Sequence, residues 1–453
     1  MREMKEKIPA LVAGAGISGV NAARLLLEQG HPVLLYDGNR EKDAEALRKE
    51  LGHGDRLWIR LGDLTPEDLA SVGLCVISPG IPLDVPFVQD IRAAGIPIWS
   101  EVELASHYAK GRLAAITGTN GKTTTTALLG KICADFCPSV FVVGNIGNAY
   151  TKEALRTTEG SITVAEVSSF QLETIVNFHP QVSAILNITP DHLNRHKTME
   201  NYAAAKAAVA RNQDEGDVLV LNYEDDRLRK LAGQVRARVL FFSSSRALAE
   251  GAYLEGEDIL LALDGETVRV CGIHDLKLLG KHNYENVMAA VLMAVSLGIP
   301  MESIRKSLRE FTAVEHRIEF VAEKGGVAYY NDSKGTNPDA AIQAIRAMVR
   351  PTVLIGGGYD KGGEFDDWIR ACEGRVKALI LIGTTAARIG ETAERYGIPG
   401  ICYADSLEEA VRLAAEKSEP GDAVLLSPAC ASWDMFPNYE VRGRMFKELV
   451  NRL

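Results

Sequence analysis

The sequence predicts an α/β protein of three domains, and three observations carry that expectation. Two separate stretches run strand, glycine-bearing turn, helix: Pro9–Ala13 into Gly14-Ala15-Gly16-Ile17-Ser18-Gly19, and Leu113–Ile116 into Gly118-Thr119-Asn120-Gly121-Lys122-Thr123. Short apolar runs then alternate with helical periodicities along the rest of the chain, the pattern of parallel sheets wound with crossover helices. Finally, 453 residues exceed what one core ordinarily accommodates. The expected division is a Rossmann-like amino-terminal domain over 1–110, a central P-loop ATPase-like domain over 111–314 and a doubly wound, Rossmann-like domain over 315–453.

In the first domain, Pro9–Ala13 reads as a buried strand. Val20 to Gln29 reads as a helix with Val20, Ala23, Leu26 and Leu27 on one face, and Val33–Tyr36 is a second strand ending on Asp37. Strand, Gly-x-Gly-x-x-Gly turn, helix, strand and an acid about 20 residues on form the dinucleotide fingerprint. It specifies a backbone that approaches a diphosphate closely, with a carboxylate placed for a ribose. NAD and a UDP-sugar both satisfy it, and tight helix-on-strand packing alone produces the same spacing. Leu74–Ser78 is a further strand that ends at Pro79-Gly80, where open α/β sheets bind ligands. Ile96–Trp99 adds another, followed by a helix over Glu101–Ala109, and Lys110-Gly111-Arg112 marks a boundary.

The second glycine turn aims several backbone N–H groups and a helix N-terminus at one point, which is how a phosphate chain is held. Lys122 would reach the outer phosphates and the Thr123 hydroxyl would face a Mg²⁺ ion, with Thr124 next in the helix. Only two residues separate Gly118 from Gly121, fewer than in the general P-loop, so a polar turn with a solvated lysine is the bland alternative. Phe141–Val143, Ile162–Glu166 and Val182–Asn187 read as strands, the last running into Asp191-His192-Leu193. Thr123, Glu166 and His192 thus fall at the carboxyl ends of three strands, where Glu166 would supply a second metal-facing oxygen. Taken singly, Glu166 could be a helix-capping acid and His192 a buried histidine. Lys206 sits in an alanine-rich helix over Asn201–Asn212, where a lysine stem lying along an apolar face is the ordinary reading. Val218–Leu221 and Val239–Phe242 continue the sheet, and Leu254, Ile259–Ala262 and Val268–Val270 suggest short antiparallel strands. A helix from Gly280 to about Ser296 carries Asn283 and Asn286 three apart on one face, where their amides could read a base edge.

In the last third, strands Val327–Tyr330, Thr352–Ile355, Ala378–Ile382 and Ala423–Leu426 alternate with helices, including one over Asn337–Met348. The Gly356–Gly363 loop carries one cation, Lys361, and Ser427–Ser432 lies at a strand end able to receive a small polar ligand.

Composition narrows the class of function. A net charge of −10 argues against a nucleic-acid surface, which needs clustered positive charge. No apolar run approaches the ~18 residues of a membrane span, and the charged start Met1–Lys7 lacks the apolar segment of a secretory signal. The seven cysteines are scattered, with Cys133 and Cys137 on one helix face, as in a cytoplasmic protein with reduced thiols. No internal repeat stands out.

Gly118–Thr123, Glu166-Val167-Ser168-Ser169-Phe170-Gln171, Asp191-His192-Leu193, Lys206 and His282–Asn286 resemble, in that order, the Mur ligase superfamily. His316-Arg317, Asn331-Asp332-Ser333-Lys334-Gly335-Thr336-Asn337-Pro338 and Leu426–Ser432 resemble the branch of it that adds D-glutamate. The resemblance implies an ATP-dependent amide ligase of peptidoglycan precursor synthesis that joins D-glutamate to UDP-N-acetylmuramoyl-L-alanine through an acyl phosphate. It implies that Gly16, Ser18, Asp37 and Gly80 hold the UDP part, and that Lys206 is carbamylated by CO₂ into a ligand for a second Mg²⁺. Asn145, Glu166 and His192 would complete the metal and substrate ring. Asn283, Asn286, Arg317 and Asp332 would hold ATP, and Lys334, Thr336, Lys361, Ser432 and Tyr439 would position D-glutamate. A monomer acting on small molecules is expected. Two departures stand out: Asn194 replaces an aspartate common in the family, leaving any role of that carboxylate in doubt, and Gly335 stands where alanine is frequent, a change expected to be minor. Rival readings are another Mur ligase or a folylpolyglutamate synthetase, an NAD-dependent oxidoreductase, and a silent nucleotide-binding protein. The oxidoreductase has no use for Gly121-Lys122-Thr123 with Glu166, and intact Lys122, Glu166, His192 and Lys206 speak against the silent protein.

Overall fold

The computed structural model describes residues 8–52, 55–312, 314–360 and 362–453. Three sheets organise them. The first contains β1 (Ala10–Ala13), β2 (Val33–Asp37), β3 (Leu57–Leu61), β4 (Leu74–Ile77) and β5 (Ile98–Ser100), all parallel in the order β3-β2-β1-β4-β5. The strand order reverses beside β1, so its carboxyl end faces a crevice, and the Gly14 turn opens there.

The second sheet holds β6 (Arg112–Thr117), β7 (Val140–Gly144), β8 (Ile162–Glu166), β9 (Val182–Ile185), β10 (Val218–Asn222), β11 (Arg238–Ser243), β12 (Gly251–Glu255), β13 (Asp258–Leu263) and β14 (Glu266–Gly272). Their order is β14-β13-β12-β11-β10-β9-β6-β8-β7, and β6 lies between its parallel neighbours β8 and β9. Strands β8 and β9 are buried at every position, as interior strands of a parallel sheet are, so they read as mostly apolar, broken only by Thr163, Glu166 and Ser183.

The third sheet, β15 (Glu319–Lys324), β16 (Val327–Asn331), β17 (Thr352–Gly357), β18 (Val376–Ile382), β19 (Ile401–Tyr403) and β20 (Ala423–Leu426), runs β15-β16-β20-β17-β18-β19. Only the β15–β16 pair within it is antiparallel.

By internal contacts the chain forms two units. One comprises Met1–Glu255, Leu260–Val270 and Val287–Ser307, and the other Gly256–Ile259, Cys271–Asn286 and Leu308–Leu453. Within the first unit, one apolar cluster serves both sheets: Leu25 to Leu27, Val102 and Leu104 pack in it together with Tyr150 and Phe178. Two acids of the helix Glu101–Tyr108 fix this junction. Glu103, almost fully buried, accepts the backbone N–H groups of Val176, Asn177 and Phe178 at 2.8–2.9 Å. Glu101 accepts the Gln171 amide at 2.7 Å, and its other oxygen is buried without a partner.

Burial pushes the Glu101 carboxyl up to about 7, against an ordinary 4.5, and the Gln171 bond only partly opposes it. The folded state therefore holds this proton after the unfolded chain has released it. Its contribution is fully present below pH 4.5 and is lost as pH rises towards 7, by about 3 kcal/mol in all. Denaturant titrations across that window are expected to show the stability of Glu101→Gln rising relative to wild type as pH increases. A difference independent of pH would contradict this.

Candidate active site

The Gly118 turn is built by neighbours as much as by its own glycines. Gly118 and Gly121 hold φ of 146° and 88°, a region open to glycine at little cost, and a Cβ on Gly118 would press on Leu186 and Asn187 at 3.1–3.4 Å. Asn187 lies two residues beyond β9 and clamps the turn. Its carbonyl takes the Thr119 N–H at 2.9 Å, its side-chain oxygen takes the Asn120 N–H at 2.8 Å, and its amide donates to the Asn120 carbonyl at 3.0 Å. The strand expected over Val182–Asn187 ends at Ile185, and Asn187 leaves the ladder to become the turn's template. The helix that follows starts at Lys122 and places Thr123 and Thr124, both buried, in its first turn.

Two lysines meet at one carbonyl. Lys122 Nζ donates to the Gly118 and Thr119 carbonyls at 2.8 Å, and Lys206 Nζ donates to the Gly118 carbonyl at 2.7 Å. Lys206 is only 2% exposed and its ammonium lies 4.6 Å from the Tyr202 ring centroid. Burial, reinforced by the Lys122 charge and weakly opposed by Asp191, holds the Lys206 amine well below the usual lysine range. Burial therefore favours the neutral amine, unlike that of a lysine lying along a helix surface.

Glu166, at the end of β8, is 1% exposed and sits in register with Ile116 of β6. One of its oxygens accepts the Asn145 amide at 2.8 Å, and the other is buried with no hydrogen-bond partner. The helix cap after β8 is Ser168, in a capping box with Gln171, which excludes the capping role for Glu166.

His192 is half-exposed rather than buried. It takes φ of 53° as it caps the short helix Leu193–His196, and its ring meets Phe170 at 4.9 Å and Tyr202 at 6.4 Å. The Tyr202 hydroxyl in turn lies 3.1 Å from the Thr119 hydroxyl. The Gly118 turn thus follows β6, with Lys206 bonded to it, while Glu166 ends β8, Asn145 follows β7 and His192 lies beyond the end of β9.

Three further residues support this corner. Phe170 stacks on His196 and carries the Arg195 guanidinium 4.5 Å from its ring centroid. Arg195 pairs with Glu173 at 2.6 Å and donates to the Pro79 carbonyl at 3.1 Å, tying the Pro79-Gly80 turn to the segment that bears His192. His196 bonds the Ser169 hydroxyl at 2.9 Å, and burial lowers its pKa to about 4, so it is neutral at physiological pH. Asn194, the departure from the family pattern, accepts the Lys197 ammonium through its backbone carbonyl at 3.0 Å.

In the first sheet, the helix begins at Ile17, three residues before the expected Val20, so Ser18 lies in its first turn and Gly16 is its N-cap. Asp37 accepts the Ala15 N–H at 2.8 Å and lies 3.4 Å from Lys42. Burial raises its carboxyl, but the Asn39 and Ala15 N–H groups and the Lys42 charge outweigh it and hold the group below the usual range. A Cβ at Gly19 would overlap the Gly14 carbonyl, the close packing that the third glycine of the fingerprint permits. Gly80 is exposed on its turn.

The second unit holds the remaining candidates. Asn283 and Asn286 are buried and bond each other at 3.1 Å, while Asn283 also donates to the Leu279 carbonyl. Asp332 accepts the Ser427 hydroxyl at 2.7 Å, and burial raises its carboxyl to about 7 although the Arg317 charge opposes the rise. The Arg317 Nε is buried without a hydrogen-bond partner.

A Cβ at Gly335 would stand 2.4 Å from the Asp332 carboxylate and 3.0 Å from the Ser427 hydroxyl, so alanine there demands movement and the glycine is no minor departure. Lys334 lies 5.4 Å from the Tyr439 ring centroid, the Thr336 N–H bonds the Lys334 carbonyl at 2.9 Å, and Ser432 is buried. Lys361 lies outside the described residues. Sequence reasoning missed Arg442. It is 1% exposed, and it donates to the Ser333 carbonyl at 2.8 Å and to the Cys430 carbonyl at 3.3 Å, joining the loops that follow β16 and β20.

A glycine turn with two lysines, a buried acid and a histidine at adjacent strand ends, carried on one of three α/β sheets, defines a class of protein, and comparison with known families agrees. Residues 9–100 match the MurD-like N-terminal domain of Mur ligases, 116–294 the Mur ligase middle domain, and 316–430 the Mur ligase glutamate ligase domain. The chain belongs to the Mur ligase family. A protein of Lachnospira eligens named UDP-N-acetylmuramoylalanine--D-glutamate ligase is 54% identical over the whole of both chains. Proteins of the same name from Lachnoclostridium phytofermentans, at 52% with 98% of each chain covered, and Alkaliphilus metalliredigens, at 47% with 100% and 99% covered, are similar too. Among solved structures, the fold is shared with UDP-N-acetylmuramate-alanine ligase MurC of Thermotoga maritima, with a TM-score of 0.61, 18% identity, and 98% of this chain and 99% of that one covered. It is also shared with MurF ligase of Thermotoga maritima, solved in complex with ADP, with a TM-score of 0.60, 18% identity, and 100% and 97% covered.

Proposed function

We propose that this chain is an ATP-dependent amide ligase that adds D-glutamate to UDP-N-acetylmuramoyl-L-alanine in the synthesis of the peptidoglycan precursor. The observation that carries the reading is that Lys122 and Lys206 share the Gly118 carbonyl, with Glu166 ending the neighbouring strand β8 and His192 against the Tyr202 ring. The name shared by relatives up to 54% identical over their full length supports the choice of substrates. The assignment divides the chain at 1–110 for the UDP part, 111–314 for ATP and 315–453 for the amino acid. Among the described residues no helix is long and apolar enough to cross a membrane, and the reading places the enzyme in the cytoplasm as a monomer.

In this reading the turn's N–H groups and Lys122 hold the phosphates of ATP. The substrate carboxylate attacks the γ-phosphorus, the bond to the β-phosphate oxygen breaks, and an acyl phosphate and ADP form. The amine of D-glutamate then attacks the acyl carbon, phosphate leaves with the bonding pair, and the amine gives up a proton to yield the amide. Gly16, Ser18, Asp37, Gly80 and Asn145 are assigned to the UDP substrate. Asn283, Asn286, Arg317 and Asp332 are assigned to ATP, and Lys334, Thr336, Lys361, Ser432 and Tyr439 to D-glutamate.

The residues present fit divalent metal. The unpartnered buried oxygen of Glu166 is a hard, anionic ligand with no protein donor to satisfy it. Thr123, Glu166, His192 and a carbamylated Lys206 would hold Mg²⁺, which when bound spreads the charge of the transferring phosphoryl group. As an ammonium, Lys206 would repel such an ion; as the neutral amine that its burial favours, it can add CO₂.

The direct test is phosphate release with ATP and UDP-N-acetylmuramoyl-L-alanine while the amino acid is varied. D-glutamate is expected to support release and L-glutamate or L-alanine to leave it near background. Release that is equal with all three would overturn the substrate assignment.

A further inference from the structure

The third sheet repeats in space a device that the sequence shows only once. In the first domain, β1 ends at Ala13, Gly14 follows with φ of 96°, a helix crosses, and β2 ends on Asp37. In the third, β18 ends at Ile382, Gly383 follows with φ of 74°, the helix Ala386–Arg395 crosses, and the parallel strand β19 leads into Asp405. The interval from glycine to acid is about 20 residues in both, the spacing that sets a ribose-binding carboxylate opposite a glycine turn. Between these strand ends lies a cavity of about 530 Å³, lined among others by Gly383, Thr384, Tyr403, Asp405, Asp434 and Met435.

The lining states what the ligand must be. Tyr403 is 53% exposed, and its hydroxyl overlies Gly390, where any Cβ would stand 2.0 Å away; the glycine thus lets the ring lie along the helix. An aromatic face held in this way stacks a flat heterocycle. At the turn, the place a phosphate takes in a dinucleotide site is already filled by a carboxylate: Asp434 Oδ2 accepts the Thr384 N–H at 2.9 Å. Its other oxygen is buried without a hydrogen-bond partner, so it calls for a donor and repels an anion. Two carboxylates that accept hydroxyl or amine donors, beside an aromatic platform, suit a neutral, hydroxylated ring system.

We propose that this crevice is a second nucleoside site, one that takes an unphosphorylated nucleoside, with the base on Tyr403, the ribose diol on Asp405 and a further donor on Asp434. It is separate from the residues assigned to ATP and to the UDP substrate, and it stands whether or not the ligase assignment holds.

The test uses the full-length enzyme with UDP-N-acetylmuramoyl-L-alanine and a non-hydrolysable ATP analogue at saturation, so that the nucleotide sites are filled. Adenosine, uridine, their 2′-deoxy forms and AMP are titrated by saturation-transfer NMR. At least one ribonucleoside is expected to bind, with its 2′-deoxy form about tenfold weaker or more, the loss of one charge-assisted hydrogen bond, and AMP weakened at least as much by repulsion between its phosphate and Asp434. Tyr403→Ala and Asp405→Ala should each weaken the ribonucleoside by about as much, with melting temperature and ligase turnover unchanged. The proposal is overturned if no nucleoside binds at millimolar concentration, if AMP binds as well as adenosine, or if binding is the same in both variants.

Discussion

Lys122→Ala is expected to lose about a thousandfold or more in turnover while melting at the wild-type temperature. The loss follows from removing a fixed positive charge from the group in flight between ATP and the carboxylate, where positioned charges contribute most of the catalysis. The fold should survive because Lys122 donates to carbonyls of its own turn, and one of those, Gly118, keeps its bond from Lys206. Asn187 continues to template the turn through three hydrogen bonds. Steady-state ADP release and a thermal melt check both halves. Turnover near the wild-type rate would remove Lys122 from the phosphate site.

Lys206→Ala should fall as far, and for a different reason. The wild-type side chain is buried beside a second ammonium, and its folded pKa is depressed well below the unfolded value. Unmodified, it costs stability below about pH 10.5, because there the unfolded chain holds the proton more tightly than the buried amine does. That cost lessens as pH rises. A residue kept for stability alone would not be a lysine here. If the side chain acts as a carbamate, the variant regains part of its activity when formate or acetate fills the space. Lys122→Ala, which lacks a cation rather than an anion, gains nothing from either. The pair of variants assayed with and without acetate separates the two roles, and full activity of Lys206→Ala with no response to acetate would contradict the carbamate.

Much of this architecture was legible because buried parallel strands announce themselves. Ile162–Glu166 is buried at every position, reads as a mostly apolar run, and was found where expected. Three strands that the sequence did not announce, β3, β15 and β19, are all sheet edges. One side of each faces solvent or a loop, so β3 alternates Leu57, Trp58, Ile59, Arg60, with Trp58 half-exposed. Apolar runs in β15 and β19 are only three residues long, Phe320–Ala322 and Ile401–Tyr403, too short to mark a strand.

The site divides in the same way. The residues proposed to meet phosphate or metal sit in short motifs fixed by turn geometry, so Gly118 to Thr124 could be read from spacing. Residues that hold those motifs in place act over long intervals. Arg195 reaches Pro79, Arg442 reaches Ser333, and Asn187 reaches Asn120, each from a different element. Their partners are set by the fold alone, and nothing in their local sequence marks them. The reading of Lys206 as an ordinary helix lysine fails for the same reason, since Gly118 lies 88 residues away.

The account stands on one chemical claim: the crevice at the ends of β8, β6 and β9 phosphorylates a carboxylate. The most direct measurement follows oxygen. UDP-N-acetylmuramoyl-L-alanine labelled with ¹⁸O in its carboxylate is incubated with ATP, Mg²⁺ and D-glutamate, and the released phosphate is analysed by mass. The account predicts one labelled oxygen in each phosphate released, carried over from the carboxylate when the acyl phosphate collapses. Phosphate that leaves without label while the amide forms would contradict it.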